Sequence, residues 1–465
     1  MGISRIMLNG TKRAKQEARE VLARNGSFDA AERIAEQWPR IFSDGATFTE
    51  MRNMTVRALD RKIKQGANLS LEEAFVGMCS VLAATNILFY EEMKGAMGQA
   101  YGTEFSPERA LAVGTAFLQL LAAKEAFRGL TPEEIAGIAA AGMMDVVVRV
   151  SLPSVIETCG MGGDVGFHGG TLKTINTSTL SAFVLAALGL PVVKHGSYSN
   201  TSAIGSTEAI ERFGGKTVLH SLEEIEEERI RCNFCYLDAH LCKTIHDLSH
   251  LIMMETVNHV VGPMSLPVHP DTVVHKVMGV NEKVHPSLVA RAYAILHERG
   301  IQKCGGIVIV GGLSEGSESI DPGDENAFRE RCTVDELSPF ASVVSVSRAN
   351  RFLGNDLLTP ADFGVVFDPE AIMIPNTAED IHAANIRALQ GTDETLADYL
   401  AMNAALGVFA VRHLGNNNAV RNGILNRGCL RRCFKECRAA ISSGAAWEVL
   451  ERFSEVGMPV RVPIS

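Results

Sequence analysis

The chain has 465 residues, of which 46% are hydrophobic and 21% are charged. This length predicts roughly two or three structural units, and the composition excludes collagen-like, coiled-coil and disordered proteins. The 54 acidic residues outnumber the 44 Lys and Arg residues, and the net charge of −10 argues against a general binder of nucleic acid or membrane surfaces. Ten irregularly spaced cysteines and the lack of a signal-peptide pattern predict a reduced, cytoplasmic protein without a membrane span.

Residues 1–75 predict a helical extension without a chemical motif. Within it, residues 12–24 and 28–42 have helical apolar spacing and charged faces. Residues 76–150 predict a small all-helical domain, because signals for a helix start recur before apolar stretches. These signals are Ser70 with Glu73, Ser106 with Pro107, and Thr131 with Pro132 and Glu134.

From residue 155 onward, strand-like and helix-like segments alternate. Residues 155–158, 191–194 and 307–310 are apolar strand candidates, and residues 178–188 form a helical segment between the first two strands. Strands that alternate with helices predict a mostly parallel sheet with helices on both faces. The sequence therefore predicts an α/β fold, in which residues 151–465 form the larger domain.

The segment from residue 160 to residue 196 predicts an anion site. A glycine loop at 160–164 lets backbone N–H groups approach an anion without obstruction by Cβ atoms, although an ordinary turn would use the same glycines. Residues 176–179 begin an apolar helix, whose free N–H groups favour a phosphate. Lys194 and His195 end the next strand, at the sheet edge where ligands bind. Together these features predict a site for a sugar that carries phosphate and pyrophosphate.

The order of the motifs resembles that of the anthranilate phosphoribosyltransferase family, within the class shared with pyrimidine nucleoside phosphorylases. Gly160-Met-Gly-Gly-Asp164 is similar to the family's GTGGD loop, residues 175–183 are similar to FNISTASAF, and Val193-Lys-His-Gly196 matches KHG. The resemblance covers residues 75–455. Further matching segments are Gly205-Ser206, Phe213-Gly214, and residues 123–141, 258–263, 275–280 and 439–450.

This resemblance implies a Mg²⁺-dependent enzyme, expected as a homodimer, that transfers phosphoribose from phosphoribosyl pyrophosphate to a small-molecule acceptor. The glycine loop and Lys194 would face the pyrophosphate, Ser178 would also approach Mg²⁺, and His195 would orient the acceptor or accept its proton. The implied substrate-binding residues are Gly160, Gly162, Gly163, Asp164, Asn176, Ser178, Thr179, Gly196, Ser197, Ser202 and Ser206.

Several acceptor-binding residues of the family are replaced in this chain. The asparagine of the KHGN motif is Ser197, the following arginine is Tyr198, and the lysine of the SSKSG loop is Ala203. The arginine that would meet the acceptor carboxylate falls at Ser249. Because a carboxylate would lose a strong bidentate pair without a guanidinium group, the sequence predicts an acceptor other than anthranilate.

The acidic pair of the family's GLDE motif is read here as Gly312-Leu-Ser-Glu315, so that one carboxylate is lost. Mg²⁺ often takes only one or two carboxylates and keeps several waters. Glu315 is therefore the predicted metal ligand, with Glu318 or Asp321 as a helper. The loop before residue 176 is longer than in the family, and it offers Lys173 as a replacement phosphate contact.

Two other functions remain open at this point. A nucleoside phosphorylase would use the same site with inorganic phosphate. A non-catalytic member of the family would bind a nucleotide or nucleic acid through the basic stretch 419–438. Cys429, Cys433 and Cys437 share one helical face in that stretch, which is typical of a buried stripe or a thiol cluster.

Overall fold

The computed structural model describes Arg19 and residues 28–42, 48–199, 202–217 and 222–456. The helix predicted over residues 12–24 lies outside these residues except for Arg19. Numbered within the described part, the helices are α1 (Ala30–Ile41), α2 (Val56–Lys64), α3 (Leu71–Thr85), α4 (Ile87–Tyr101), α5 (Pro107–Arg128), α6 (Pro132–Met144), α7 (Thr177–Ala187), α8 (Ser206–Arg212), α9 (Leu222–Cys232), α10 (Ala239–Cys242), α11 (Asp247–Ile252), α12 (Asn258–Met264), α13 (Pro286–Glu298), α14 (Glu325–Arg331), α15 (Pro360–Phe363), α16 (Ala378–Gln390), α17 (Glu394–Arg412), α18 (Arg427–Ser442) and α19 (Ala445–Ser454). The strands are β1 (Ser154–Gly160), β2 (Leu172–Lys173), β3 (Val192–Gly196), β4 (Phe234–Asp238), β5 (Val273–Gly279), β6 (Cys304–Leu313), β7 (Cys332–Val334), β8 (Ser342–Arg348), β9 (Arg351–Leu358), β10 (Ile374–Pro375), β11 (Val420–Arg421) and β12 (Ile424–Leu425).

The central sheet has the strand order β4-β3-β1-β5-β6-β8-β9, with β7 paired to the end of β6. The five strands from β4 to β6 are parallel, and β7, β8 and β9 add an antiparallel edge. The chain runs from β1 outward to β3 and β4 and then returns to β5 on the other side of β1. Ligands of open α/β sheets bind where the strand order reverses in this way, so the fold predicts a ligand site at the carboxyl end of β1.

Helices cover both faces of this sheet, as alternate residues of β6 show. Ile307 and Ile309 share a hydrophobic core with α13, whereas Val308 and Val310 share a second core with α17. Successive side chains of a strand point to opposite faces, so the two cores lie on opposite sides of the sheet. The predicted α/β fold is confirmed.

The helices before β1 begin at the predicted signals. Ser70 and Thr131 each form a capping box with the glutamate three residues on, and Ser106 caps the helix that has Pro107 in its first turn. Residues 245–264, from the middle of the α/β region, join the core of these helices. The proposed boundaries at residues 75 and 150 stay a prediction.

Helix α5 is the one helix in the described part of the chain that is long and apolar enough to cross a membrane by length and composition. It also contributes Phe117, Leu118 and Leu121 to the protein core, and its Lys124 pairs with Glu134 at 2.8 Å. A core helix passes the same test as a membrane span. The cytoplasmic location stays a prediction.

Candidate active site

A cleft of about 860 Å³ opens at the carboxyl ends of β1 and β3, and α11 and α12 form its opposite wall. Most of the site residues predicted from the sequence meet there. Gly160, Gly162, Gly163, Asp164, Asn176, Ser178, Lys194, His195, Gly196, Ser197, Ser202 and Ser206 line the cleft. Thr179 and Glu315 are not among the lining residues.

The glycine loop after β1 has a backbone that other residues rarely adopt. Gly162 and Gly163 have φ values of +67° and +72°. The loop is held on both sides, because the N–H of Gly162 donates to Asp335 Oδ2 at 2.8 Å and Asn281 Nδ2 donates to the Gly162 carbonyl at 2.9 Å. A Cβ on Gly162 would have no atom within 4 Å, so this position faces open space.

The N-terminus of α7 lacks a side-chain cap, since the Asn176 side chain is engaged elsewhere. Its Nδ2 donates to the Ile204 carbonyl at 3.0 Å, and its Oδ1 accepts from Asn385 Nδ2 at 2.7 Å. An uncapped helix start beside a glycine loop is a favourable anion site. Thr179 lies behind this wall, fully buried, with its hydroxyl 3.2 Å from that of Ser206, so the structure does not support its predicted contact with phosphate.

Lys194 and His195 are neighbours in β3, and their side chains lie in different surroundings. Lys194 is buried at the cleft floor, where Nζ donates to the Thr158 carbonyl at 2.8 Å and lies 3.4 Å from Ser178 Oγ. Burial lowers the pKa of this ammonium. The buried Nζ therefore sits beside the N-terminus of α7, where an anion would bind.

His195 has both ring nitrogens engaged inside the protein. Nδ1 bonds to Glu157, and Nε2 is 2.8 Å from the Gly262 carbonyl. Burial lowers the pKa of the imidazole, whereas the Glu157 carboxylate raises it. Because Glu157 and the Gly262 carbonyl are both acceptors, these contacts favour a ring that carries a proton on each nitrogen. The predicted catalytic role of His195 is thus not supported, because neither nitrogen is left for an acceptor. His195 is a positioning residue between β1 and α12.

The predicted metal ligand lies away from the cleft. Glu315 is exposed in the turn after β6 and does not line the cleft. Asp335 and Glu336, which follow β7, do line it. Strand β7 pairs with the end of β6, which brings this acidic pair over the carboxyl ends of the central strands.

Asp335 lies over two strands that end in adjacent glycines. Gly160 of β1 and Gly279 of β5 are paired in register. A Cβ on Gly160 would come within 2.0 Å of Asp335 Oδ2, and a Cβ on Gly279 within 1.4 Å of its carbonyl oxygen. Both glycines are required because this acidic residue occupies the space above them.

The acidic pair has oxygen atoms suited to a divalent cation. Burial raises the pKa of Asp335 to about 6 and that of Glu336 to about 8, and the nearby carboxylates Asp164 and Asp335, respectively, add to these shifts. Glu336 accepts from the Tyr399 hydroxyl at 3.0 Å and from Thr174. The described residues contain no cluster of three or more His, Cys, Asp or Glu side chains arranged for a metal, so a cation would need substrate oxygens as well.

Lys173 comes from the extended loop and lies in the cleft, but it is already paired. Its Nζ donates to the carboxylate and to the carbonyl of Asp164, both at 2.9 Å. Lys173 therefore fixes the end of the glycine loop, and its predicted role as a free phosphate contact is not supported.

On the acceptor side, hydroxyl and amide groups occupy the position that the resemblance gives to an arginine. Ser249 Oγ is 2.7 Å from Thr256 Oγ1 and accepts from Asn258 Nδ2 at 2.6 Å. Ser197 donates to the Tyr198 carbonyl at 3.1 Å. The wall is completed by His240, His246, His250, Met253, Met254, Glu255 and His259.

Comparisons with known proteins agree with this geometry. The family model described as "Glycosyl transferase family, a/b domain" matches residues 152–447. The chain belongs to this glycosyl transferase family. Its resemblance to the anthranilate phosphoribosyltransferases, as a divergent member, and its nature as a glycosyltransferase-type enzyme are confirmed.

Curated relatives and solved structures carry the same family name. The chain is 28% identical to the anthranilate phosphoribosyltransferase of Saccharolobus solfataricus over 293 residues, which are 62% of this chain and 74% of the relative. The enzyme of Leptothrix cholodnii is 27% identical over 378 residues, with 79% and 93% covered. The Saccharomyces cerevisiae enzyme in complex with PRPP and Mg has a TM-score of 0.59 at 20% identity and covers 87% of this chain and 99% of its own. The Thermus thermophilus enzyme has a TM-score of 0.58 at 24% identity, with 85% and 98% covered.

Asp335 and Glu336 are not among the predicted site residues, although the sequence carries a signal for them. Val334-Asp335-Glu336 keeps both acids of the GLDE motif, but it follows β6 only after the inserted residues 314–331. Gly312-Leu313 at the end of β6 precedes Glu315 in the same spacing, which is why the motif is predicted there. An intact acid pair just before an apolar strand was the better match.

Two arginines of the basic stretch 419–438 make internal ion pairs. Arg427 pairs with Asp362 at 2.8 Å and also with Asp356, and Arg438 pairs with Asp398 at 2.6 Å. Cys429, Cys433 and Cys437 are all buried in the core beneath α18. Arg427 and Arg438 are therefore committed to internal ion pairs, whereas Arg421, Arg431, Arg432 and Lys435 are exposed, and the nucleic-acid alternative stays the less favoured one.

Proposed function

We propose that the protein is a Mg²⁺-dependent phosphoribosyltransferase that uses phosphoribosyl pyrophosphate as donor and an acceptor other than anthranilate. One observation carries this proposal: a positive-φ glycine loop, an uncapped helix N-terminus and a buried acidic pair meet at one end of the sheet. The names of the relatives, and the yeast structure with PRPP and Mg, support the choice of donor. The proposal includes a homodimer as the working assembly.

In the donor half, the chain would act mainly by positioning charge. The N–H groups of the glycine loop, the start of α7 and the Lys194 ammonium would hold the phosphate oxygens and stabilise the departing pyrophosphate. Asp335 and Glu336, with the Ser178 hydroxyl, would hold Mg²⁺, which when bound neutralises charge on the pyrophosphate. The acceptor nitrogen would then displace pyrophosphate at C1 of the sugar through an oxocarbenium-like transition state, without an enzyme nucleophile.

The choice of an acceptor other than anthranilate rests on Ser249. Its hydroxyl is engaged by Thr256 and Asn258, so that position offers no fixed cation to a carboxylate. The loss of a bidentate guanidinium pair removes a strong charge-assisted contact. A nucleoside phosphorylase is a less favoured alternative, because the retained KHG motif and helix start match the transferases.

Donor binding can be tested by calorimetry with phosphoribosyl pyrophosphate and Mg²⁺. We expect Gly162→Ala to weaken donor binding by at least about tenfold, because a Cβ obstructs the approach of phosphate to the backbone. Gly189→Ala is the matched control, since Gly189 has φ +78° with open space but lies outside the cleft. Both variants should lose about 1 kcal/mol of stability from the left-handed backbone. Equal donor affinity in the two variants would contradict the proposal.

A further inference from the structure

We propose that the acceptor half of the cleft selects a neutral or cationic aromatic amine and rejects a carboxylate-bearing one, with Glu255 as the specificity-determining residue. This inference rests on the proposed phosphoribosyl transfer and names the chemical class of its acceptor. It is carried by the distribution of charge along the wall formed by α11, α12 and the segment between them.

Glu255 places a carboxylate between the acceptor wall and the glycine loop. Its side chain is 55% exposed and lines the cleft. Its Oε1 would be 3.3 Å from a Cβ on Gly163, so it lies next to the loop proposed to hold pyrophosphate. Lys283 is its partner at 2.5 Å. A negatively charged acceptor would meet both this carboxylate and the donor phosphates.

Among the described residues that line the cleft, no ammonium or guanidinium group lies in the acceptor half to compensate. Lys173 is bonded to Asp164, and Lys194 lies beside Ser178 in the half proposed to hold the donor phosphates. His259 has a raised pKa, but it is bonded to Glu125 at 3.0 Å and lies 3.9 Å from Glu255. An acceptor carboxylate would therefore be desolvated without an ionic partner, which is unfavourable.

The rest of the wall suits an uncharged ring. Met253 and Met254 are 79% and 54% exposed at its edge, and methionine thioethers pack favourably against aromatic rings. Burial lowers the pKa of His246 well below its usual value, so this imidazole is neutral. Beside it, the His240 ring lies 4.8 Å from that of His250. An aromatic amine would find apolar and imidazole surfaces here.

Three probes of the same shape test this charge selection. Anthranilate, 2-aminobenzamide and 2-aminobenzylamine share a ring and a ring amine but carry an anionic, a neutral and a cationic ortho group. We expect calorimetry on protein saturated with phosphoribosyl pyrophosphate and Mg²⁺ to give at least about tenfold tighter binding of the last two than of anthranilate. Pyrophosphate release should follow the same order.

Two variants should move the selectivity in opposite directions. Glu255→Gln should reduce the ratio of cationic to anionic affinity to within about threefold, and Lys283→Met should widen it, because the carboxylate loses its partner. Asp271→Asn, which removes an exposed carboxylate paired with Lys303 at 2.8 Å away from the cleft, should leave the ratio unchanged.

Anthranilate binding as tight as 2-aminobenzamide, an unchanged ratio in Glu255→Gln, or binding of none of the probes would overturn the inference. Donor titration without acceptor separates it from the proposed function. If the donor binds and the probes are not discriminated, only the acceptor class is wrong. If the donor itself does not bind, the proposed function fails.

Discussion

At the scale of single residues, we expect the acidic pair Asp335 and Glu336 to increase turnover without stabilising the fold. Because burial raises the pKa of Asp335 and of Glu336, their charged forms are disfavoured in the absence of a cation. Asp335→Asn should therefore leave stability unchanged or higher, while lowering turnover by about 100-fold or more. Thermal unfolding with and without Mg²⁺, together with a pyrophosphate-release assay, measures both effects.

The control for this prediction is Glu315→Gln, which removes an exposed carboxylate outside the cleft and should leave turnover unchanged. Glu336→Gln should behave like Asp335→Asn. Loss of turnover in Glu315→Gln alone would return the metal to the site first predicted from the sequence.

The buried carboxylate of Glu157 gives the fold a specific dependence on pH. Burial favours its neutral form, but His195 and Lys276 outweigh this and lower its pKa to about 2. A lowered carboxylate pKa stabilises the fold above the unfolded value of about 4.5, and this contribution is lost as pH falls from there toward 2. The shift corresponds to roughly 3 kcal/mol.

We expect Glu157→Gln to be destabilised by about 3–5 kcal/mol at neutral pH, since Lys276 would be left buried without its partner. Urea unfolding of both proteins between pH 2 and pH 7 checks this. The difference between them should shrink as the pH falls below about 4.5; a constant difference would show that the carboxylate is not ionised in the native protein.

At the scale of elements, α11 is tied to the N-terminal region by one arginine. Arg19 donates to Asp247 through two nitrogens at 2.7 and 2.9 Å and to the His240 carbonyl at 2.6 Å. We expect Arg19→Ala to loosen α11 by about 1 kcal/mol. Hydrogen exchange of Asp247–Ile252 should then be roughly fivefold faster.

Arg40→Ala is the matched control for this prediction, because it removes an arginine that pairs with Glu36 within α1, away from α11. Exchange in α11 should be unchanged in that variant. If both variants behave alike, Arg19 does not hold the acceptor wall.

Local signals predicted more of the elements than of the site. The spacing of apolar residues, the glycines and the capping residues predict strand β1, helix α7 and three helix starts, because these signals act over a few residues. The position of Asp335 depends on the pairing of β6 with β7 across an insertion, and no local pattern encodes that pairing. The engagement of His195 by Gly262 likewise joins distant segments, so the motif alone could not separate a catalytic from a positioning role.

At the scale of the whole molecule, we expect a homodimer. The helical region exposes large apolar side chains of a kind that interfaces cover, with Ile87 and Phe127 at 67% and 85% exposure. Light scattering should give twice the chain mass of 50.1 kDa. Ile87→Asp combined with Phe127→Asp should yield the monomer without unfolding it, and an unchanged mass would place the interface elsewhere.

The reciprocal amide pair of Asn176 and Asn385 makes donor binding sensitive to a charge at position 176. Asn385 Oδ1 accepts from the Asn176 backbone N–H at 2.9 Å, while its Nδ2 donates to the Asn176 side chain. Deamidation of Asn176 would replace a donor by an acceptor and would add a permanent negative charge at the start of α7. That charge would repel the donor phosphate from the start of α7. Such a protein would therefore lose its affinity for the donor while its fold stayed intact.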